Sequence, residues 1–289
     1  MKTSLDRAIV VTGASTGIGR AAVARAVAGG AHVFGSVRKQ TDADGLAQEF
    51  GDKVTPLRFD VADEAGVNAG AAQVAQMLGA RRLFGLVNNA GIAVSGPLLH
   101  VPTEELSRQL DVNVLGVHRV TRAFAPLLGS DPARSGKPGR IIMISSVGGQ
   151  FGQPFVGSYV TSKFALEGYS QSLRRELLLY GIDVIVVGPG SIATPIWEKA
   201  EQGDLQRFGD TDYAKPIDRI AEFMVQQGKD GLPAARVGEL IWTALTTAKP
   251  KTRYAILSKP FMDGKLPRWL PARMVDRIIA RRLGYPKAA

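Results

Sequence analysis

Short apolar runs alternate along the chain with longer segments in which apolar residues recur at helical spacing. A short run that is apolar throughout is typical of a strand buried on both faces, and helices between such strands cover a parallel sheet. The predicted strands are 7–12, 32–37, 53–59, 83–88, 141–145, 183–187 and 253–257. The predicted helices are 17–28, 43–50, 64–77, 103–128, 159–179, 196–202, 218–227, 233–248 and 269–283. Because crossovers between parallel strands are right-handed, this order predicts an α/β fold with a doubly wound parallel sheet. Thr103 is predicted to cap the long fourth helix.

The composition excludes several kinds of chemistry. The chain has no cysteine, which rules out disulfides, thiolate metal sites and cysteine nucleophiles and is compatible with a reducing compartment. Its three histidines, His32, His100 and His118, are far apart, so we expect no metal site and no serine hydrolase. No stretch has the features of a signal peptide or reaches about 18 uninterrupted apolar residues. We therefore expect a cytoplasmic protein without a membrane span.

The formal charge of +10 is concentrated near the carboxyl end of the chain. Residues 249–289 hold eleven Lys and Arg against Asp263 and Asp276, a net charge of +9, and the other 248 residues carry only +1. A basic protein can bind nucleic acid, but here the body is close to neutral and has no base-stacking motif. We therefore expect no nucleic-acid partner.

Three glycines follow the first predicted strand directly, in the stretch from Thr12 to Gly19. Glycines at a strand-to-helix turn permit a tight turn, and the start of the helix offers free amide groups to a pyrophosphate. The turn therefore predicts a Rossmann-type dinucleotide site. Its expected contacts are Gly13, Ser15, Thr16, Gly17, Ile18 and Gly19.

The end of the second predicted strand indicates which dinucleotide binds. An NAD-binding chain usually places Asp or Glu there, whereas this chain reads Ser36-Val37-Arg38-Lys39. A carboxylate would repel a 2′-phosphate, and an arginine can bind it through two hydrogen bonds. We therefore predict NADP(H) as cofactor, with NAD(H) as the less favoured alternative.

Tyr159 and Lys163 are four residues apart, so that their side chains project from the same face of one predicted helix. Tyrosine alone is a poor acid or base near neutrality because its pKa is about 10. A lysine beside it favours the phenolate, and we expect this to lower the pKa of Tyr159. The pair is thus a candidate device for proton transfer.

Together these motifs resemble the short-chain dehydrogenase/reductase family, in its short rather than extended branch. The matching segments, in the order that the family has them, are Thr12–Gly19, Asp60, Asn88–Gly91, Asn113, Ser146, Tyr159 with Lys163, and Pro189–Gly190 with Thr194. The stretch 172–177 and the long carboxyl extension are more similar to the retinol and hydroxysteroid dehydrogenases of the family than to its acyl-carrier-protein reductases. Members are commonly dimers or tetramers through the two long helices, which makes a homodimer or homotetramer the expected state.

The resemblance implies a role for each matching residue. Tyr159 would be the general acid or base, Ser146 would hydrogen-bond the substrate oxygen, Lys163 would bind the ribose, and Asn113 would relay protons through a water. Adjacent strand residues face opposite ways, so only one of Ser145 and Ser146 can face the substrate, and the thirteen-residue interval to Tyr159 selects Ser146. The implied cofactor contacts beyond the glycine turn are Arg38, Asp60, Val61, Asn89, Ala90, Gly91, Tyr159, Lys163, Pro189, Gly190, Ile192 and Thr194.

The remaining segments predict a hydrophobic alcohol or ketone as substrate. We expect a single domain over 1–289, with a substrate-binding lid at 191–237 and a basic amphipathic extension at 258–289. Apolar residues of the lid and of the loops before it either line the pocket or pack the lid on the sheet. These residues are Val94, Leu98, Val147, Phe151, Phe155, Val156, Ile196, Trp197, Leu205, Phe208, Tyr213, Ile220, Phe223 and Met224.

Several alternatives remain open at the level of sequence. The extension is a solvated part of the lid, a contact to an anionic membrane, or a contact to another subunit. A non-catalytic regulator that binds the dinucleotide is a second class of function, although such a protein has no need of a proton relay. An NAD-dependent dehydrogenase working in the oxidative direction is the third alternative.

Overall fold

The structure is a computed structural model that describes residues 4–194, 205–229, 231–258 and 269–285, with the backbone alone at 4, 206 and 222–229. Its strands are β1 Ser4–Val11, β2 Ala31–Val37, β3 Val54–Arg58, β4 Gly85–Asn88, β5 Arg140–Ile144, β6 Asp183–Pro189, β7 Ile192–Ala193, β8 Leu232–Pro233 and β9 Arg253–Ile256. Its α-helices are α1 Gly17–Ala28, α2 Gln40–Phe50, α3 Glu64–Leu78, α4 Thr103–Leu110, α5 Gly116–Ala125, α6 Gly157–Glu176, α7 Ala214–Lys229, α8 Ala234–Thr246 and α9 Ala272–Leu283.

Within the described part of the chain, seven strands form one parallel sheet in the order β3-β2-β1-β4-β5-β6-β9. The order runs outward in both directions from β1 and β4, so the direction of winding reverses between these two strands. In an open α/β sheet this reversal opens a crevice at the carboxyl ends of the strands. The predicted doubly wound α/β fold is confirmed.

A separate apolar core covers each face of the sheet. The first contains Phe34, Leu57, Leu86, Phe124, Met143 and Leu166, and packs α3, α5 and α6 on one face. The second contains Ile9, Val33, Ile142, Ile185, Val237 and Trp242, and packs α1 and α8 on the other. Since strands β1, β4 and β5 contribute to both cores, their continuous apolar runs follow from burial on both sides.

The long fourth helix differs from the prediction at two points. Thr103 is the first helical residue rather than the cap; Pro102 occupies the cap position with φ −57° and ψ 142°. The fixed φ of proline suits this extended residue before the first turn. The second difference is the presence of π-helical turns, one at Asp111–Leu115 between α4 and α5 and one at Pro126–Ser130 after α5.

The predicted lid and the predicted extension pack on each other where the structure describes them. A third apolar cluster joins Phe155 and Val160 beside α6, Phe208 and Ile217 of the lid, and Leu283 of α9. This contact supports the interpretation of the extension as part of the lid. The β7–β8 pair was not predicted, and the predicted helix 196–202 lies outside the described residues. None of the helices described is long and apolar enough to span a bilayer.

Candidate active site

A cleft of about 510 Å³ lies at the carboxyl edge of the sheet. It opens at the reversal between β1 and β4, where the fold predicts a ligand site. The structure brings to it most of the residues expected from the motifs. They are Gly13, Ser15, Thr16, Gly17, Ile18, Arg38, Asp60, Val61, Asn89, Ala90, Gly91, Ser146, Tyr159, Lys163, Pro189, Gly190, Ile192 and Thr194.

The glycine turn forms the floor of the cleft between β1 and α1. Gly13 and Gly17 have φ of 65° and 55°, a left-handed backbone that other residues rarely adopt. A Cβ atom on Gly13 would lie 3.0 Å from the Cα of Ala90, so a side chain would fill the space between the two turns. The first amides of α1 have no partner within the helix and are free to meet an anion. The turn therefore fits the pyrophosphate of a dinucleotide.

Gly19 does not line the cleft, in contrast to the prediction. It is buried in α1, and a Cβ there would collide with the carbonyl oxygen of Gly13. The third glycine of the motif thus allows the helix to pack closely on its own turn. Its contribution to binding is indirect, through the shape of that turn.

Asn89 and Thr12 lock the ends of β1 and β4 together. The Asn89 side-chain amide donates to the carbonyl oxygens of Thr12 and Gly13 over 2.9 and 3.1 Å. In return, the Thr12 hydroxyl accepts from the backbone amides of Asn89 and Ala90, each at 3.0 Å. These four bonds fix the spacing of the two turns that flank the cleft. Thr12 was predicted only as part of the glycine turn and has a structural role of its own.

Arg38 lies at the mouth of the cleft, where the sequence predicts a 2′-phosphate. One guanidinium nitrogen of Arg38 is 3.7 Å from a carboxylate oxygen of Asp60, and the Arg38 side chain is two-thirds exposed. A surface pair this loose contributes little to stability, so the guanidinium is available to a ligand. Lys39 and Arg108 also line the cleft. Sequence reasoning missed Arg108, because nothing local distinguishes it from other charged residues of an exposed helical turn.

Ser146 and Tyr159 both line the cleft, and the Ser146 hydroxyl is close enough to the phenol to influence the pKa of Tyr159. Strand β5 ends at Ile144, and Ser146 begins a short 3₁₀ turn in which its hydroxyl accepts from the Gly148 amide over 3.0 Å. Tyr159 comes from the first turn of α6. The segment between the two residues thus forms a turn and a loop that bring Tyr159 back to the cleft beside Ser146.

The acidity of Tyr159 differs from the expectation. Burial raises the pKa of Tyr159 above its ordinary value, and the hydrogen bond with Ser146 opposes this only in part. The Lys163 nitrogen lies 5.5 Å from the centre of the Tyr159 ring and donates to the carbonyl oxygen of Ile144 over 2.8 Å. The prediction that Lys163 gives Tyr159 a lowered pKa is therefore wrong for this structure, because desolvation of the phenolate is the dominant influence.

Asn113 is buried beneath the cleft and does not line it. Its side chain accepts from the Ile92 amide at 2.9 Å and donates to the Ile92 carbonyl oxygen and the Ser162 hydroxyl, both at 3.0 Å. Ser162 in turn donates to the carbonyl oxygen of Tyr159 over 2.7 Å. The buried amide of Asn113 is thus fully engaged and ties its π-helical turn to α6. A proton relay through Asn113 remains a prediction.

Gln109 is a second buried amide that sequence reasoning missed. It accepts from the Val94 amide at 2.7 Å and donates to the Ile92 carbonyl oxygen at 2.8 Å and to Ser162 at 3.3 Å. Its position one turn before Asn113 on an otherwise amphipathic helix was the available signal. The two amides together hold the segment 92–94 along one wall of the cleft.

The predicted substrate wall does not line this cleft. Leu205, Phe208, Phe155 and Val156 pack against one another in the lid cluster, because burial in a shared apolar core removes their surface from water. Leu98 lines a second, mostly apolar cavity of about 420 Å³ between α6 and α9. Residues 196 and 197 and the side chains of residues 223 and 224 lie outside the described parts of the structure.

A serine hydrolase is not supported, although Gly13–Gly17 has the G-x-S-x-G spacing of a nucleophile elbow with Ser15 at its centre. Each histidine is engaged elsewhere. His32 hydrogen-bonds Thr55, His118 hydrogen-bonds Tyr169, and His100 packs on the ring of Tyr213. No histidine of the described residues lines the cleft that contains Ser15.

The fold and the cleft define a dinucleotide-binding α/β protein. The family model described as short chain dehydrogenase matches residues 7–205, and the chain belongs to this family of oxidoreductases. The predicted recognition of the family is thus confirmed.

Known relatives match nearly the whole chain. An NADPH-dependent 3-dehydrocapnine reductase of Ornithobacterium rhinotracheale is 38% identical, over 96% of this chain and 97% of its own. Retinol dehydrogenase 5 of Mus musculus is 31% identical, over 97% of this chain and 90% of its own. A crystal structure of a short-chain dehydrogenase from Streptomyces avermitilis has a TM-score of 0.75 at 27% identity, with 98% of each chain covered.

Proposed function

We propose that the protein is an NADP(H)-dependent oxidoreductase that interconverts a secondary alcohol and a ketone, or an aldehyde, on a hydrophobic molecule. The observation that carries the proposal is that Ser146, Tyr159 and Lys163 line the same cleft, with Lys163 one turn after Tyr159 along the same helix. Both hydroxyls meet at a point where a substrate oxygen can accept from one and exchange a proton with the other.

The residues of the cleft fit the cofactor. The glycine turn would hold the pyrophosphate, Arg38 the 2′-phosphate, Asp60 and Val61 the adenine, and Lys163 a ribose. Pro189, Gly190, Ile192 and Thr194 would flank the nicotinamide end, and Asn89, Ala90 and Gly91 the cofactor's middle. When bound, NADP(H) supplies or accepts the hydride.

The side chains of the chain itself would manage the proton and the developing charge. With its pKa raised by burial, Tyr159 is protonated at neutral pH and is suited to donate to a carbonyl oxygen during reduction. Ser146 would hydrogen-bond the same oxygen and stabilise negative charge on it. In the oxidative direction the phenolate form of Tyr159 would accept the proton of the alcohol. The raised pKa of Tyr159 makes this proton transfer more favourable.

The name of the first relative supports NADPH and the reductive direction, and the name of the second supports a hydrophobic alcohol as substrate. One relative is by name an NADPH-dependent reductase of a 3-dehydro compound, and the other a dehydrogenase of retinol. Tyr159 also packs against the apolar lid cluster, so the reaction centre has an apolar side. A dinucleotide-binding regulator has no use for the Ser146–Tyr159 pair, which makes this function the weaker alternative.

A panel of hydrophobic ketones and aldehydes tests the proposal, with turnover followed by the loss of NADPH or NADH absorbance. We expect turnover of at least one long-chain ketone, with a higher kcat/KM for NADPH. A preference for NADH of about tenfold or more would overturn the cofactor assignment. Absence of turnover with either cofactor, in protein shown to bind NADPH, would favour the regulator.

The remaining expectations concern organisation. We infer a single domain with the lid at 191–237 and the extension at 258–289, located in the cytoplasm. Leu115 after α4 and Phe164 on α6 are about half exposed, which supports self-association through the long helices.

Trp269 and Met274 of the extension are also exposed and accompany a basic helix, which keeps a membrane contact open. Light scattering, and flotation with anionic liposomes with and without residues 265–289, test these two contacts.

A further inference from the structure

Arg253, on the last strand of the sheet, reaches the reaction centre from outside the segment that matches the family. Its guanidinium forms a forked ion pair with Glu167 of α6, with nitrogen–oxygen distances of 3.0 and 3.2 Å. The nitrogen that makes the shorter contact also donates to the backbone carbonyl oxygen of Ser146 over 3.3 Å. One side chain thus joins three distant parts of the chain at the end of β5.

The packing around Arg253 is specific to this contact. Strand β6 lies between β5 and β9, and its Gly188 leaves room for the guanidinium, since a Cβ at this position would collide with it. The Glu167 side chain is 9% exposed and that of Arg253 is 23% exposed. Removing two charges from water at this depth costs free energy that only good geometry and further hydrogen bonds recover. A contact that served only to stabilise the fold would cost less free energy of desolvation if it were made by apolar side chains.

The pair lies next to the catalytic lysine. Glu167 follows Lys163 by one helical turn, and Lys163 donates to the carbonyl oxygen of Ile144. Arg253 donates to the carbonyl oxygen of Ser146, two residues further on. Both cations therefore hold the same strand end, one on each side of Ser145, and both are linked to α6, the helix that carries Tyr159.

We propose that Arg253 and Glu167 are positioning residues of the reaction centre: Arg253 fixes the backbone of Ser146, and Glu167 provides the carboxylate that faces Lys163. The proposal rests on the proposed function for its meaning in catalysis. It explains why a buried ion pair stands beside a site that already contains a buried lysine. Neither residue is among those that line the cleft.

The charges around Lys163 give the proposal a measurable consequence. Among the described residues, the titratable groups that face Lys163 are Tyr159 and Glu167 from its own helix, and Glu167 is paired with Arg253 of β9. Burial lowers the pKa of Lys163 to about 8, and the Glu167 carboxylate opposes this. Removing that carboxylate must lower the pKa of Lys163 further, so that the lysine loses its proton at a lower pH.

Two substitutions separate the effect of the Glu167 charge on Lys163 from the effect of the Arg253 hydrogen bonds on the backbone of Ser146. Glu167→Gln keeps the shape of the side chain and removes its charge. Arg253→Lys keeps the positive charge but loses the planar fork that reaches Glu167 and Ser146 together. The control is Asp183→Asn, which neutralises a carboxylate paired with Arg140 at the opposite end of β5 and β6. Thermal unfolding and NADPH binding by fluorescence establish for each variant that the fold and the cofactor site persist.

The decisive readout is independent of turnover. Protein with ¹³C-labelled lysine is titrated by NMR, and the Lys163 resonance is assigned by its loss in Lys163→Arg. In Glu167→Gln we expect the midpoint of the Lys163 titration to move to lower pH by about half a pH unit or more. In Arg253→Lys we expect kcat to fall about tenfold with unchanged affinity for NADPH. Asp183→Asn should change neither quantity.

Each contrary result is informative. A Lys163 midpoint that is the same in Glu167→Gln and wild type would overturn the role of Glu167. A kcat in Arg253→Lys equal to that of wild type would overturn the role of Arg253. The role would also be overturned if a loss of affinity for NADPH explained the whole fall in activity. If Glu167→Gln does not fold, the result with Arg253→Lys decides alone. Lack of turnover by the wild type would refute the proposed function, while the NMR titration would still test the pair.

Discussion

Ser145 and Ser146 are neighbours with opposite hydrogen-bonding environments. The Ser146 hydroxyl accepts from the Gly148 amide and influences the pKa of Tyr159, whereas the buried Ser145 hydroxyl has no hydrogen-bond partner within the described part of the chain. Strand β5 has already ended at Ile144, so the turn rather than the pleat of the strand directs each hydroxyl. This difference supports Ser146 as the serine that acts on the substrate.

Substitution of the two serines tests that assignment. We expect Ser146→Ala to lower kcat by about 100-fold, since it removes a hydrogen bond to the oxygen on which charge develops. Ser145→Ala is the matched control and should retain most of the wild-type kcat. Loss of activity confined to Ser145→Ala would reverse the assignment.

The choice of cofactor is expected to depend on Arg38. Arg38→Gln should raise KM for NADPH about tenfold or more and leave KM for NADH unchanged, because only NADPH carries the phosphate that the guanidinium binds. Arg20→Gln serves as control, since Arg20 is an exposed arginine of α1 paired with Glu49. If Arg38→Gln raised KM equally for NADPH and NADH, Arg38 would not be the residue that binds the 2′-phosphate.

The proposed lid is joined to α4 by a forked ion pair between Arg207 and Glu105, with nitrogen–oxygen distances of 2.6 and 2.7 Å. Arg207 lowers the pKa of the Glu105 carboxyl, as a persistent pair requires. In Glu105→Gln we expect KM for the ketone to rise about two- to fivefold and cleavage by trypsin near Arg207 to become faster. Glu104→Gln, a change at the exposed neighbouring residue, should alter neither. Identical digestion of both variants would show that the pair does not hold the lid.

Stability should depend on pH through His32, which is buried and hydrogen-bonded to Thr55. Burial lowers the pKa of His32 below its ordinary value of 6.5, with partial opposition from Asp52. The folded state therefore binds fewer protons than the unfolded state, and this contribution is complete above about pH 6.5 and lost as the pH falls toward the folded-state pKa.

Denaturant titrations at about pH 5.5 and pH 7.5 measure this contribution. The difference in free energy of unfolding between the two pH values should be smaller in His32→Gln than in wild type. His118→Gln, at an exposed position, should leave the difference unchanged. If the free energy of unfolding changes between the two pH values as much in His32→Gln as in wild type, His32 is not the origin of the pH dependence.

Local sequence patterns predicted those parts of the fold that local interactions determine. Helix α1 has the predicted bounds of 17–28, because the glycine turn before it and Gly29–Gly30 after it limit the helix from both sides. The cleft residues followed from motif spacing for a similar reason: each motif is a turn at the end of a strand, and parallel strands end at one edge of the sheet.

Features that depend on tertiary contacts could not be predicted in the same way. Glu167 and Arg253 are 86 residues apart, and only the pairing of β6 with β9 brings them together. The π-helical turn at 111–115 is held by the bonds of Asn113 to Ile92 and Ser162, which a helical pattern does not reveal. The raised pKa of Tyr159 follows from burial depth, a property of the whole fold rather than of Lys163 four residues away.

The central claim is that Tyr159 exchanges a proton with the substrate oxygen. It is tested most directly by Tyr159→Phe, which keeps the ring and removes the hydroxyl, with kcat measured beside the affinity for NADPH. We predict a fall in kcat of at least about 100-fold with cofactor affinity unchanged. A variant that retains kcat within about tenfold of wild type would contradict the account.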